Sequence, residues 1–275
     1  MKKIKLSNVL ITLLLLLLVI VSLLPVYWTL NTSFKVNSEI YNMKPSLWPK
    51  KPTVQSYIDL VVKRNFLPSL WNSFFVSFIV SVGSVAISAF AGYAFARLDF
   101  RGKQILSNSV LYSYLMPRSV LFIPLYMLVT TFGLRDNLMG LIVIYPTITI
   151  PYATWMLTSY FRTIPLAIEE AAEIDGCGRI RSMIQVVFPL AKPGLAATTI
   201  FAFTLCWSEY MYALVIITRS ETRTITLALA NMVVGDVFAW GPMMAGSIVA
   251  TIPILLIYMI SSKNMVSGLT VGAVK

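Results

Sequence analysis

Val9 to about Leu30 is close to an unbroken run of leucine, isoleucine and valine, and such a run leaves few folds open. A bilayer core about 30 Å thick is crossed by about 20 apolar residues in a helix. Inside hydrocarbon, every backbone N–H and C=O must be satisfied within the protein, which restricts spanning segments to helices and closed barrels. Five more apolar stretches follow, at about 70–95, 105–131, 138–160, 193–217 and 243–262. The 275-residue chain is 57% hydrophobic and 12% charged, against about a quarter charged in soluble domains. The pattern predicts an all-α polytopic membrane protein, one domain over 1–275, with six transmembrane helices and a long polar break at 161–192.

The first run competes with a signal peptide. A signal peptide has an apolar region of about 7–15 residues and a small-x-small cleavage site. This run is longer and continues into Pro25-Val26-Tyr27-Trp28, whose aromatics suit a membrane interface. An uncleaved first span is therefore expected. Lys2, Lys3 and Lys5, with Arg97, Arg101 and Lys103, form short basic flanks of the kind retained in the cytoplasm. They place the N- and C-termini inside. The net charge of +11 is explained by such flanks beside an anionic membrane face, without nucleic acid.

The second span is rich in small residues (Ser77, Ser81, Gly83, Ser84, Ser88, Ala89, Gly92), which let membrane helices approach closely. Prolines 117, 124, 146 and 151 interrupt spans three and four, as buried helices tolerate when neighbours satisfy the freed carbonyls. The chain has no histidine and two cysteines, Cys177 and Cys206. That excludes a disulfide framework, a Cys/His zinc site and Ser/His or Cys/His catalytic pairs. No Gly-x-x-x-x-Gly-Lys-Ser/Thr sequence is present, so this chain has no P-loop for ATP phosphates. The reading is a membrane protein that is not itself an enzyme.

The polar break is itself helical in pattern. Pro165 suits a first helical position, and Ala167, Ala171 and Ile174, with Ile164, Ile168 and Ala172 beside them, make one small apolar face. Glu169, Glu170 and Glu173 are expected to point away from it. Gly176 stands where a left-handed cap would end the helix. A second helix can run from about Gly178 to Pro189, with Ile180, Ile184 and Val187 on one side. Two short helices hinged at a glycine look like a docking element.

Glu170-Ala171-Ala172, three residues, Gly176, nine residues, then Val186-x-Phe188-Pro189 resembles the EAA loop of ABC importer permeases. Val186 and Phe188 replace the usual Ile and Leu, both apolar changes. Ile123-Pro124-Leu125-Tyr126, Phe161-Arg162-Thr163-Ile164-Pro165, Trp207-Ser208-Glu209-Tyr210 and the tail from Gly268 to Lys275 are similar to the maltose-type carbohydrate permeases of that group. The resemblance implies the type I importer permease fold in a bacterial or archaeal cytoplasmic membrane. It also implies an ATP-driven importer for a sugar or oligosaccharide. The partners would be a second homologous permease, two ABC ATPase subunits and an extracytoplasmic solute-binding protein. ATP and Mg would sit on the ATPase subunits, with no cofactor in this chain. Glu169, Glu170, Ala171, Ala172, Asp175, Gly176 and Pro189 would form the ATPase-coupling element. A non-sugar importer is the nearer alternative. A secondary transporter is the farther one, since that class uses mid-membrane carboxylates and internal inverted repeats.

Two ionisable residues fall inside predicted spans. Counted at about 1.5 Å per residue, Arg118 lies about 20 Å and Glu209 about 23 Å from the inner ends. Each costs about 2.5–3.5 kcal/mol at a bilayer centre, so each should face protein or water. They are expected to form a buried ion pair between spans three and five, or to line a solute path with Tyr114, Trp207 and Tyr210. In the loop 218–242, the resemblance makes Thr222, Gly235 and Asp236 candidate contacts for the solute-binding protein.

Overall fold

The computed structural model describes the backbone of residues 6–234 and 237–270 and the side chains of 10–233 and 238–261. The basic flank Lys2, Lys3 and Lys5, the candidates Gly235 and Asp236, and the side chains of the tail lie outside these.

In chain order the elements are α1 (Leu6–Ser33), α2 (Asn37–Ile40), α3 (Gln55–Ile58), α4 (Phe66–Arg97), α5 (Lys103–Leu115), α6 (Arg118–Thr131), α7 (Leu138–Ile144) and α8 (Pro146–Thr163). Then come α9 (Leu166–Ile174), α10 (Arg179–Ser182), α11 (Phe188–Leu190), α12 (Lys192–Trp207), α13 (Met211–Ile216) and α14 (Ile225–Ala230). A two-residue hairpin follows, β1 (Val233–Val234) with β2 (Val237–Phe238), and then α15 (Trp240–Thr270). In the hairpin Val233 faces Phe238 and Val234 faces Val237.

Four stretches are long and apolar enough to cross a membrane: Leu10–Ser33, Phe66–Arg97, Leu138–Thr163 and Trp240–Ser261. Two bent pairs bring the number to as many as six: α5 with α6, bent by 98°, and Arg179–Leu190 with α12, bent by 74°. The third span, expected over 105–131 with Pro117 and Pro124 interrupting it, is broken at Pro117. Met116 is extended (ψ 135°) and Pro117 follows at φ −59°, because proline fixes its own φ and bars its predecessor from helix. Pro124 and Pro151, by contrast, lie inside helices. Span five is also interrupted, between Trp207 and Met211.

Of the described residues, those up to 67 with those in 229–252 form one body, and those in 68–228 with those from 253 onward another. In the first, α1 is exposed along its length from Leu10 to Val26, and the chain after it folds back onto its last turns. Leu60 and Phe66 are fully buried there.

The second body has two hydrophobic cores. One joins α4, α7, α12 and α13 through Val76, Val80, Leu141, Ile144, Cys206 and Ile216. The other joins α4, α8 and the polar break through Val85, Ala89, Leu157, Phe161, Met183 and Val187. The small residues of α4 act as expected. Ser84 shares a hydrogen bond with Thr149 (2.6 Å), and Ser88 donates to the Ile150 carbonyl (3.2 Å) and accepts from Thr154 (3.1 Å). A Cβ on Gly92 would stand 3.1 Å from Leu157 Cβ and from the Thr158 nitrogen, so this crossing tolerates little more than hydrogen.

Candidate functional site

The polar break folds as two helices about a glycine. Gly176 has φ +84°, a left-handed conformation that costs glycine nothing. Its N–H bonds the Glu173 carbonyl (3.0 Å) and the Cys177 N–H bonds that of Ala172 (2.9 Å), the paired bonds of a Schellman cap. The second helix runs from Arg179 through a wider π-type turn at Met183–Val187 to Leu190.

Glu169 departs from expectation. It is buried rather than outward, and with Ala172 it forms the inward side of α9. Tyr93 donates its hydroxyl to Glu169 Oε2 (2.8 Å), and Arg97 Nε donates to Oε1 (2.5 Å). Arg97 Nη2 also holds the Ile164 carbonyl. The last turn of α4 thus grips both the start and the body of α9. A buried carboxylate is tolerated only when paired and hydrogen-bonded, and Arg97 and Tyr93 meet that requirement for Glu169. The signal lay in Tyr93 and Arg97, one helical turn apart on α4; the apolar face of α9 alone could not show it.

The opposite side of the loop is bare. Ala167, Glu170, Ala171, Glu173, Ile174 and Asp175 are exposed. On the second helix Ile180 and Ile184 are exposed while Val187 is fully buried. Pro189 is exposed near the bend into α12. The loop therefore presents a small-residue and isoleucine surface, with Glu170 within it, and is fixed to the membrane helices from behind.

The expected Arg118–Glu209 ion pair is not formed. Ion pairs among the described residues are Lys63–Asp59, Arg97–Glu169 and Lys103–Asp99. Arg118 is exposed in the first turn of α6, and the 98° bend before it removes the basis for counting depth along a straight helix. Glu209 is buried in the break between α12 and α13. Its carboxylate accepts the backbone N–H of Tyr212 (3.1 Å) and of Ala213 (3.3 Å). These are orphan donors of the first turn of α13, where a negative charge also meets the positive end of the helix. The Glu209 carbonyl accepts from Thr226 (2.7 Å).

The aromatic candidates separate. Trp207 is buried and stacks on Phe203 (5.5 Å), Tyr114 meets Tyr152 (5.7 Å), and Tyr210 is 37% exposed at the break.

Asp136 was missed. It accepts from the backbone N–H of Thr218, from the Thr218 hydroxyl (2.7 Å) and from the Arg219 N–H (3.1 Å). The backbone bond from Thr218 first, then its hydroxyl, hold this carboxyl down at about 2. Thr222 lies in the following turn and donates to the Arg219 carbonyl (3.4 Å).

Residues 84–270 match the family described as binding-protein-dependent transport system inner membrane component. The inner membrane ABC transporter permease protein YcjP of Escherichia coli is 34% identical over 261 residues, 94% of this chain and 93% of that protein. The trehalose transport system permease protein SugB of Mycobacterium tuberculosis is 36% identical over 256 residues, covering 92% and 93%. The trehalose/maltose transport system permease protein MalG of Thermococcus litoralis is 32% identical over 263 residues, covering 94% of each. Among solved structures, a chain of a bacterial ABC transporter involved in importing the acidic polysaccharide alginate superposes with a TM-score of 0.80 at 20% identity, covering 96% of this chain and 99% of that one. A chain of the MetNI methionine ABC transporter gives 0.61 at 17% identity, covering 78% and 99%. Like its relatives, this chain is a multi-pass permease of the cytoplasmic membrane, and it belongs to the binding-protein-dependent transport system inner membrane component family.

Proposed function

We propose that this permease passes a sugar or oligosaccharide through an ATP-driven importer. The supporting observation is that relatives matched over more than 90% of their length are permeases for trehalose, for trehalose and maltose, and for diacetylchitobiose. The partners are a second permease, two ATPase subunits that bind ATP and Mg, and a solute-binding protein. The exposed face of Ala167, Ala171, Ile174, Ile180 and Ile184, with Glu170, is where an ATPase subunit seats. A small-residue helix face lies readily in a partner's groove, and the Arg97–Glu169–Tyr93 grip passes the movement to α4. The break at Ser208–Tyr210, with Tyr210 exposed, is the candidate solute contact, and Thr222 a candidate contact of the binding protein. This arrangement requires the polar break, the N-terminus and the C-terminus to face the cytoplasm. Uptake of radiolabelled sugars by a deletion strain carrying the gene tests the substrate class. Accumulation of at least one di- or oligosaccharide is expected. Uptake of an amino acid instead, with none of the sugars taken up, would overturn the sugar reading.

A further inference from the structure

Residues 43–51 follow the end of α1 and do not extend away from it. Ser46 accepts through its carbonyl from Asn31 Nδ2 (3.4 Å) and from the buried Lys35 Nζ (2.5 Å). The Tyr27 hydroxyl bonds the Leu47 carbonyl, and the Tyr27 and Trp48 rings meet edge to face at 5.7 Å. The segment thus runs back down α1 from its end at Ser33 to the level of Tyr27. Six residues of helix correspond to about 9 Å, comparable to the depth of a headgroup layer. At that level Leu47 is 67% and Trp48 73% exposed, and Met43 earlier in the segment is fully exposed. Lys44, Lys50 and Lys51 flank them, exposed and in no ion pair among the described residues.

From this placement we propose that residues 43–51 are a membrane-interface strap that binds anionic phospholipid. Leu47 and Trp48 enter the acyl boundary of the leaflet at which α1 ends, and Lys44, Lys50 and Lys51 take lipid phosphates. Tryptophan suits this depth because its ring is apolar and its N–H needs a polar partner. Lysines reach phosphate by extending their stems along apolar surface, and clustered lysines favour anionic lipid. Glu39 does not cancel them. Its one negative charge is held by the Ser46 hydroxyl and the Lys50 backbone N–H and faces the field of Lys35, so it shapes the strap and leaves the three exposed ammonium groups in excess.

The test places a nitroxide spin label at Leu47→Cys, in a Cys177→Ser, Cys206→Ala background, in the assembled importer. Nanodiscs would be of phosphatidylcholine with or without phosphatidylglycerol. Accessibility to oxygen, which concentrates in the bilayer, is compared with that to a neutral nickel chelate confined to water. The reference label is at Arg101→Cys, in the exposed polar turn before α5. The strap is expected to favour oxygen and the reference to favour nickel. Phosphatidylglycerol should raise the strap's ratio further, and Lys44→Gln, Lys50→Gln, Lys51→Gln together should abolish that increment. A strap ratio equal to the reference would place the segment in water and overturn the proposal. Exclusion of both reagents would mean that a protein partner covers it, and would overturn it equally. A phosphatidylglycerol effect unchanged in the triple variant would remove the lysines' role.

Discussion

Glu169 does more than its neighbours to fix the proposed coupling element, because its carboxylate is the buried group that joins α9 to α4. Removing one partner from a buried pair costs about 3–5 kcal/mol, since the other charge is left uncompensated. Glu169→Gln and Arg97→Met should each lower the permease's melting temperature, and the double change should recover part of the loss. A cycle measured by thermal melting checks this, because only direct partners give a large interaction term. Arg118 and Glu209, which form no ion pair, should give a much smaller interaction term: the Glu209 carboxylate is held by the N–H groups of Tyr212 and Ala213. Arg118→Met should leave folded yield unchanged, and Glu209→Gln should lower it. These two pairs show what the sequence discloses at this scale. Ionisable residues in apolar runs stand out, and Arg118 and Glu209 were found that way. The partners of Glu209 and of Glu169 were not legible, because a backbone N–H carries no sequence signature and Arg97 lies 72 positions from Glu169.

The hinge and the clip between helices behave as separable elements. Gly176 was legible because a left-handed cap has a sequence signature, and nothing within 4 Å would obstruct a side chain there. Any loss on substitution is therefore backbone strain, about 1–2 kcal/mol for a residue with a Cβ. Gly176→Val should lower uptake, and Gly176→Asn should retain most of it, since asparagine tolerates this conformation. Normal uptake by the valine variant would remove the hinge from the mechanism. The Asp136 clip joins the turn before α7 to the residues after α13. Its carboxyl is lowered from the ordinary 3.8 to about 2. A group depressed in the folded state contributes stability above its unfolded value and loses it as pH falls through the folded one. The melting difference between the native protein and Asp136→Asn should accordingly be full at neutral pH, shrink from about pH 5 downward and be lost only below about pH 2. The broken third span was the element least legible. Pro117 announced a boundary, but proline is tolerated within membrane helices too, as at Pro124, and the sequence does not say which outcome neighbouring side chains will impose.

Across the whole molecule, composition and run length were enough to read a helical membrane protein, and the EAA-like spacing was enough to read its family. The division of labour over the surface of 161–192 was not, because helical periodicity separates apolar from polar sides but does not say which side faces the protein's own body. Glu169 and Ala172 turned inward, while Ala171, Ile174, Ile180 and Ile184 stayed bare. If that bare face looks into the cytoplasm, Cys177 should resist a membrane-impermeant thiol reagent in intact cells and react in inside-out vesicles. Labelling in intact cells would reverse the topology. The central claim is that this face seats the ATPase subunit, and co-purification of that subunit with an Ala171→Trp permease tests it most directly. A large side chain on the small-residue face should reduce recovery of the ATPase by about tenfold or more, since overpacking a close contact costs about 1–3 kcal/mol, while the permease alone melts as before. Full recovery of the ATPase, with native uptake, would contradict the account.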